Sequence, residues 1–145
     1  MLPRTYEGQN CSIARTLELM GERWTMLVIR EAFLGRRRFD ELAERLGIAR
    51  NVLTDRLRRL VDEGVLEKVR YQERPERFEY RLTAKGVDLW PVLVALLQYG
   101  DRYYAPDGPP MLLTHRGCGG ELDDRRICKR CGDKLQALDV QALAG

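Results

Sequence analysis

Apolar residues recur at helical spacing over much of the chain, most sharply between Ile48 and Leu66. Leu53, Leu57 and Leu60 fall at i, i+4 and i+7, which predicts a helix with one buried stripe. Its other side carries Arg50, Asn51, Thr54, Asp55 and Arg58, short hydrogen bonders and guanidinium forks. Arg56 and Arg59 flank the stripe, Glu63-Gly64 ends the helix, and Val65-Leu66 begins a strand. Upstream, residues 1–10 read as an irregular arm. Ile13, Leu17 and Met20 predict a first helix, with Ser12 as N-cap and Gly21 as its break. Trp24, Leu27, Val28 and Phe33 predict a second, ended by Leu34-Gly35. Phe39 to Leu46 predicts a third, with Leu42, Ala43 and Leu46 inward and Gly47 as its end. Two helices joined by so tight a glycine-containing turn make a helix-turn-helix.

After Gly64 the period changes from helical to alternating. Val65, Glu67, Val69 and Tyr71 fall on one side, and Leu66, Lys68, Arg70 and Gln72 on the other. Residues 73–77 hold proline and charge and predict a turn, and 78–82 alternate again, so the hairpin is a wing. Thr83 caps a longer helix over about 84–103, which Pro91 kinks or breaks near Leu89-Trp90. Leu89, Val92, Leu93, Leu96, Leu97 and Tyr99 make that helix apolar on more than one face, and this predicts a homodimer rather than a purely internal helix. Trp90, Tyr99, Tyr103 and Tyr104 are read as core or dimer interface rather than an effector pocket. Residues 105–110 are a linker. The fold class is therefore mainly α with a small β-hairpin: a winged helix-turn-helix over 11–104 with a long C-terminal helix, followed by a small tail at 112–135.

Charge sharpens this picture. The net charge is only +3, yet residues 36–60 hold eight arginines against four acids. Positive charge concentrated on the predicted reading segment favours double-stranded DNA as a partner. Arg50 and Asn51, at the helix start, are best placed for base edges, since Arg pairs with guanine and Asn with adenine. Thr54, Asp55 and Arg58 line the same face, while Arg36, Arg37, Arg38, Arg74 and Arg77 are assigned to phosphates. No apolar run approaches the ~20 residues of a membrane helix, and the first residues lack a signal-peptide pattern, so a cytoplasmic location is expected. One histidine and no glycine-rich phosphate loop argue against an enzyme. The alternative from another class is a winged helix that docks proteins without reading DNA.

Three of the four cysteines lie in the tail, as His115-x2-Cys118, nine residues, then Cys128-x2-Cys131, with Gly119 and Gly132 following the pairs. Two x2-spaced pairs let four side chains converge on one tetrahedral ion, the layout of a zinc ribbon. With every position filled by protein, such a zinc site is structural. Reduced thiols, a disulfide or a site that has lost its metal are the competing readings, and a cytoplasmic location disfavours the disulfide. Cys11 stands apart at a helix start, where the helix dipole and Arg15 favour a thiolate. A reactive sensor and an ordinary buried cysteine both remain open for it.

Several motifs together resemble the HxlR-type family of bacterial winged helix-turn-helix regulators, within the MarR-like superfamily. They are Cys11-Ser12-Ile13-Ala14, Gly21-Glu22-Arg23-Trp24-Thr25, residues 37–42 (RRFDEL), residues 53–60 (LTDRLRRL) and residues 80–86 (YRLTAKG), spanning 11 to about 104. The resemblance implies a dimeric transcriptional regulator, more often a repressor than an activator. It further implies that the N- and C-terminal helices make the dimer and the pre-wing helix reads DNA. Two such helices related by a two-fold are then expected to meet successive major grooves of a pseudo-palindrome. In some members the cysteine matching Cys11 responds to oxidants or electrophiles. The Cys/His tail departs from the shortest members, so its role does not follow from the family.

Overall fold

The computed structural model describes Gly8, residues 11–123 and residues 125–144, and it divides into two units, Met1–Gly86 and Val87–Gly145. The arm expected over residues 1–10 lies, Gly8 apart, outside the described residues. The first unit begins with α1 (Ser12–Met20) and α2 (Thr25–Phe33). Cys11, one residue before the expected Ser12, is the N-cap of α1. The Ile13–Leu17 stripe is not buried either: Ile13 is 71% and Leu17 42% exposed, while Ala14 and Met20 point inward. Periodicity marks an apolar face, but it does not say whether the neighbour that covers it belongs to the same chain.

Helix α2 packs on both α1 and α3 (Phe39–Leu46), and its buried positions are Thr25, Val28, Ile29 and Glu31. The face expected from Trp24, Leu27 and Phe33 is only half-buried, so the true face is rotated toward Val28-Ile29. α3 ends at Gly47, whose φ of 64° is left-handed and favours glycine, and α4 (Arg50–Asp62) follows at once. Leu53, Leu57 and Leu60 are almost completely buried, as the stripe predicts.

Strands β1 (Leu66–Glu73) and β2 (Glu76–Leu82) form the antiparallel wing, in register from Leu66↔Leu82 to Glu73↔Glu76, with an irregularity at Tyr71. Arg74-Pro75, a cis peptide, makes its tip. The Tyr80 N–H donates to the Arg37 carbonyl at 2.6 Å, which ties the approach to α3 onto β2. Thr83 accepts the Gly86 N–H at 3.1 Å and caps α5 (Ala84–Val87). The break expected near Leu89-Trp90 is present: Asp88-Leu89 separates α5 from α6 (Trp90–Tyr103), where Pro91 occupies the first turn. Proline lacks an N–H but none is needed there, so it starts a helix it would otherwise break.

In the second unit, β3 (Met111–His115) pairs antiparallel with β4 (Val140–Ala144), which lies beyond the tail limit of 135. Isolated bridges Thr114↔Glu121, Leu122↔Cys128 and Ile127↔Lys134 stitch the intervening loop. The Gln98 side chain donates to the Asp123 carbonyl and so ties this loop to α6. No helix among the described residues is long and apolar enough to cross a membrane.

Candidate nucleic-acid interface and cysteine cluster

The outward side of α4 carries the residues expected there: Arg50, Asn51, Thr54, Asp55 and Arg58 are all exposed. They are not equally free. Arg50 Nη2 lies 2.8 Å from Asp40 Oδ1, and its guanidinium sits 4.7 Å from the Phe39 ring centroid. Thr54 Oγ1 donates to the Arg50 carbonyl at 2.9 Å, and Asp55 pairs with Arg56 at 2.7 Å. Asn51 and Arg58 have no side-chain hydrogen bond or ion pair among the described residues, which leaves both open to a ligand.

The arginines beside the stripe hold α4 in place. Glu22 receives Arg56 Nε at 2.7 Å as an ion pair without good hydrogen-bond alignment, and Arg59 Nη1 at 2.5 Å. Arg59 Nη2 also donates to the Glu18 carbonyl at 2.5 Å. One carboxylate at the α1–α2 junction therefore fixes two turns of α4. The composition of α4 showed the arginines; nothing local pointed to Glu22.

The phosphate assignments separate in the same way. Arg37, Arg38, Arg74 and Arg77 are exposed, and the Arg38 guanidinium stacks 4.5 Å from the Tyr71 ring on the wing. Arg36 does not belong with them. It turns inward, with Nε 3.7 Å from the buried Glu31 Oε2 and Nη1 donating to the Leu34 carbonyl at 3.1 Å. Glu31 is only 3% exposed and also takes Arg30 Nη2 at 2.9 Å, so a carboxylate needing compensation claims Arg36. On the wing, the cations of Lys68 and Arg70 lie 4.3 and 5.7 Å from the Phe78 ring, a basic edge the sequence reading left unassigned.

The tail brings its four expected ligands together. One donor atom each from His115, Cys118, Cys128 and Cys131 all lie within 4.8 Å of one another, and the group could hold a metal ion. His115 Nδ1 is 3.4 Å from Cys118 Sγ and 3.5 Å from Cys131 Sγ, and the Cys118 and Cys128 sulfurs are 3.2 Å apart. All three are free thiols. Each x2 turn closes by a backbone bond, Gly119 N–H to the His115 carbonyl at 2.7 Å and Gly132 N–H to the Cys128 carbonyl at 2.9 Å. The Cys128 thiol is pulled down to about 6, first by the backbone N–H of Cys131, against the effect of burial. For Cys131 the Asp133 backbone bond acts downward, but burial and the neighbouring sulfurs of Cys128 and Cys118 push it up to about 11. Gly120 is a member of this site that the ligand spacing did not reveal. A Cβ there would sit 2.6 Å from Cys128 Sγ and 3.3 Å from Cys118 Sγ. In the first unit, Cys11 is exposed.

The comparisons agree with this geometry. The HxlR-like helix-turn-helix family model matches residues 19–108. An uncharacterized HTH-type transcriptional regulator of Mycobacterium tuberculosis is 50% identical over 140 residues, 96% of this chain and 87% of its own length, so the likeness extends into the tail. The crystal structure of PA1607, described as a transcription factor, superposes with a TM-score of 0.76 at 39% identity, covering 94% of this chain and 96% of that one. The redox regulator HypR in its oxidized form matches with a TM-score of 0.59 at 28% identity, over 63% of this chain and 96% of its own. With α3, the Gly47 turn, α4 and the wing in place, the chain belongs to the HxlR-like family of winged helix-turn-helix transcriptional regulators.

Proposed function

We propose that the chain is a homodimeric repressor that reads a pseudo-palindromic operator through α4, with residues 11–104 as the DNA-binding and dimerisation domain and the ligands of a zinc-holding tail within 112–135. The observation that carries this reading is the two-sidedness of α4, whose leucines are buried while Arg50, Asn51, Thr54, Asp55 and Arg58 face solvent. Arg50 and Asn51 start the helix and reach base edges; Arg37, Arg38, Arg74 and Arg77 meet phosphates. A dimer is supported by the apolar faces left open. Val92, Leu96, Tyr99 and Tyr103 form an exposed stripe along α6, and Ile13 with Leu17 forms another on α1. Two copies so joined present their α4 helices to successive major grooves about 34 Å apart.

Sequencing duplexes selected from a random pool by the purified protein tests this directly. The expected result is a two-fold-related motif with half-sites one helical turn apart. A flat selection at low salt returns the chain to the protein-docking alternative. On the selected site, R50A should weaken binding far more than on random DNA.

The donor set of three sulfurs and one imidazole nitrogen suits zinc. A tetrahedral zinc would hold S and N about 3.6 Å apart and two sulfurs about 3.8 Å apart. The nitrogen–sulfur distances of 3.4 and 3.5 Å support that fit, with the sulfur pair at 3.2 Å somewhat closer. Bound there, zinc supplies structural cross-linking of the tail and no open position. Less than a quarter equivalent of zinc in protein purified without chelator would sink it. The exposed thiol of Cys11 is the group we assign to sensing electrophiles, a reading favoured by the likeness to the redox regulator HypR. Its test is an alkylating agent that changes operator affinity in the wild type and not in C11S.

A further inference from the structure

Helix α4 follows the end of α3 after the short turn of residues 47–49, and the side chain of Arg50 reaches back to the start of α3, where it is held at two points. Arg50 Nη2 is bonded to Asp40 Oδ1 at 2.8 Å, and its guanidinium carbon lies over the Phe39 ring, 4.7 Å from the centroid. Both charged side chains are open to water, Arg50 67% and Asp40 82% exposed. An ion pair so exposed contributes little to folding, so stability is a poor account of it. Geometry is a better one. A guanine edge is read by two parallel N–H groups of one guanidinium, which requires the plane of the fork to be fixed. Arginine is among the side chains with most rotamer freedom to lose. The partial positive charge of two helix N-termini would also tend to push its fork outward. Asp40 counters that push, and Phe39 sets the plane.

We propose that Asp40 is a specificity-determining residue of the operator interface: with Phe39 as platform, it presets the Arg50 guanidinium for a single guanine. The proposal rests on the reading of α4 as the helix that enters the major groove. It has a signature of opposite signs. Asp40 brings negative charge to a surface that meets phosphates, so it weakens binding to DNA in general while strengthening the choice of one base. A residue with a merely structural role lowers both together.

The experiment uses the full-length protein and its selected operator. Each base pair of one half-site is replaced in turn, and binding of the wild type, R50A, D40A, D40N and R50A/D40A is measured at fixed salt, beside a random duplex. R50A is expected to lose about tenfold or more of the discrimination at one guanine position. D40A should lose most of that same discrimination at that same position, while its affinity for the random duplex is unchanged or tighter. D40N keeps an acceptor oxygen without the charge and should fall between. The double variant should discriminate no worse than R50A alone. Three results overturn the proposal: D40A discriminating as well as the wild type, D40A discriminating better, or D40A weakening all duplexes equally with a lowered melting temperature. A wild type with no sequence preference removes the α4 reading and this proposal with it. A selective wild type with an indifferent D40A removes this proposal alone.

Discussion

Removing the carboxylate of Glu22 tests whether α4 is positioned by charge as well as by its leucines. Glu22 takes Arg56 at 2.7 Å and Arg59 at 2.5 Å, and the three side chains are 30%, 21% and 41% exposed. That places the triad between two known regimes. Exposed pairs contribute roughly 0.2–1 kcal/mol each, whereas breaking a buried pair costs about 3–5 kcal/mol. Two features limit the loss in E22A: Arg56 keeps Asp55 at 2.7 Å, and Arg59 keeps the Glu18 carbonyl at 2.5 Å. A destabilisation of about 1.5 kcal/mol follows, which lowers the melting temperature by roughly 3–6 °C for a chain of this size. E22Q retains an acceptor oxygen but not the charge, and about half the effect should remain. Far-UV circular dichroism melts of the three proteins measure it, and amide exchange over Glu18–Thr25 locates it. An E22A variant within about 0.3 kcal/mol of the wild type would refute the reasoning, because it would class the triad with exposed pairs.

Leu57→Ala removes a leucine only 1% exposed in the middle of the α4 stripe, and should cost about 2–5 kcal/mol in urea denaturation, a large share of the roughly 5–15 kcal/mol that holds a typical domain folded. Gly120→Ala should drive Cys128 Sγ from its place and lower zinc content sharply in metal analysis, without changing the helical melt of residues 12–62. Asp123 accepts the Ile127 N–H at 2.7 Å and the Arg125 N–H at 2.8 Å, and these bonds, Ile127 foremost, hold its carboxyl below the usual range. A depressed folded-state pKa gives stability above the unfolded pKa that is lost as pH falls through the folded one. D123A should therefore expose the Ile127 amide to exchange at neutral pH, and wild type and variant should converge in acid.

The elements legible in the sequence are those whose cause is local. Leu53, Leu57 and Leu60 share a face at any placement of the helix, Gly47 ends α3 by its own backbone, and Thr83 caps within three residues. Ile13 and Leu17 also share a face, but their exposure depends on a neighbour that no periodicity specifies. Glu31 was hidden for a related reason. On a helix it reads as a solvent-facing acid, whereas in the fold it is 3% exposed and paired with Arg36 from beyond the helix end as well as with its neighbour Arg30. The four clustered residues of the tail were legible because the turns that bring each pair together are two residues long. β4 was not, since its partner β3 begins nearly thirty residues upstream and VQALA alternates over only five positions. On the outward side of α4, residue types named Arg50 correctly as exposed. Its partner Asp40 needed the turn geometry, because ten residues separate the two in sequence.

These contacts bear on how a thiol at one end of α1 would reach DNA. Cys11 caps the start of α1, while the Glu18 carbonyl near its end and Glu22 just beyond it hold Arg59 of α4. A helix of nine residues is about 13 Å long and does not shorten under load. A displacement imposed at Cys11 therefore arrives at the Arg59 clamp, a route within one chain that is separate from any change in spacing between the two copies of a dimer. The two routes give different results in E22A, where one of the two attachments of Arg59 is gone. If the intrachain route carries the signal, alkylation of Cys11 should proceed at the wild-type rate in E22A, yet shift operator affinity by less than half the wild-type amount. Mass spectrometry follows the first quantity and a titration of labelled operator the second. A full wild-type shift in E22A would assign the signal to dimer spacing, since the Glu22 contacts to both Arg56 and Arg59 of α4 are gone in that variant.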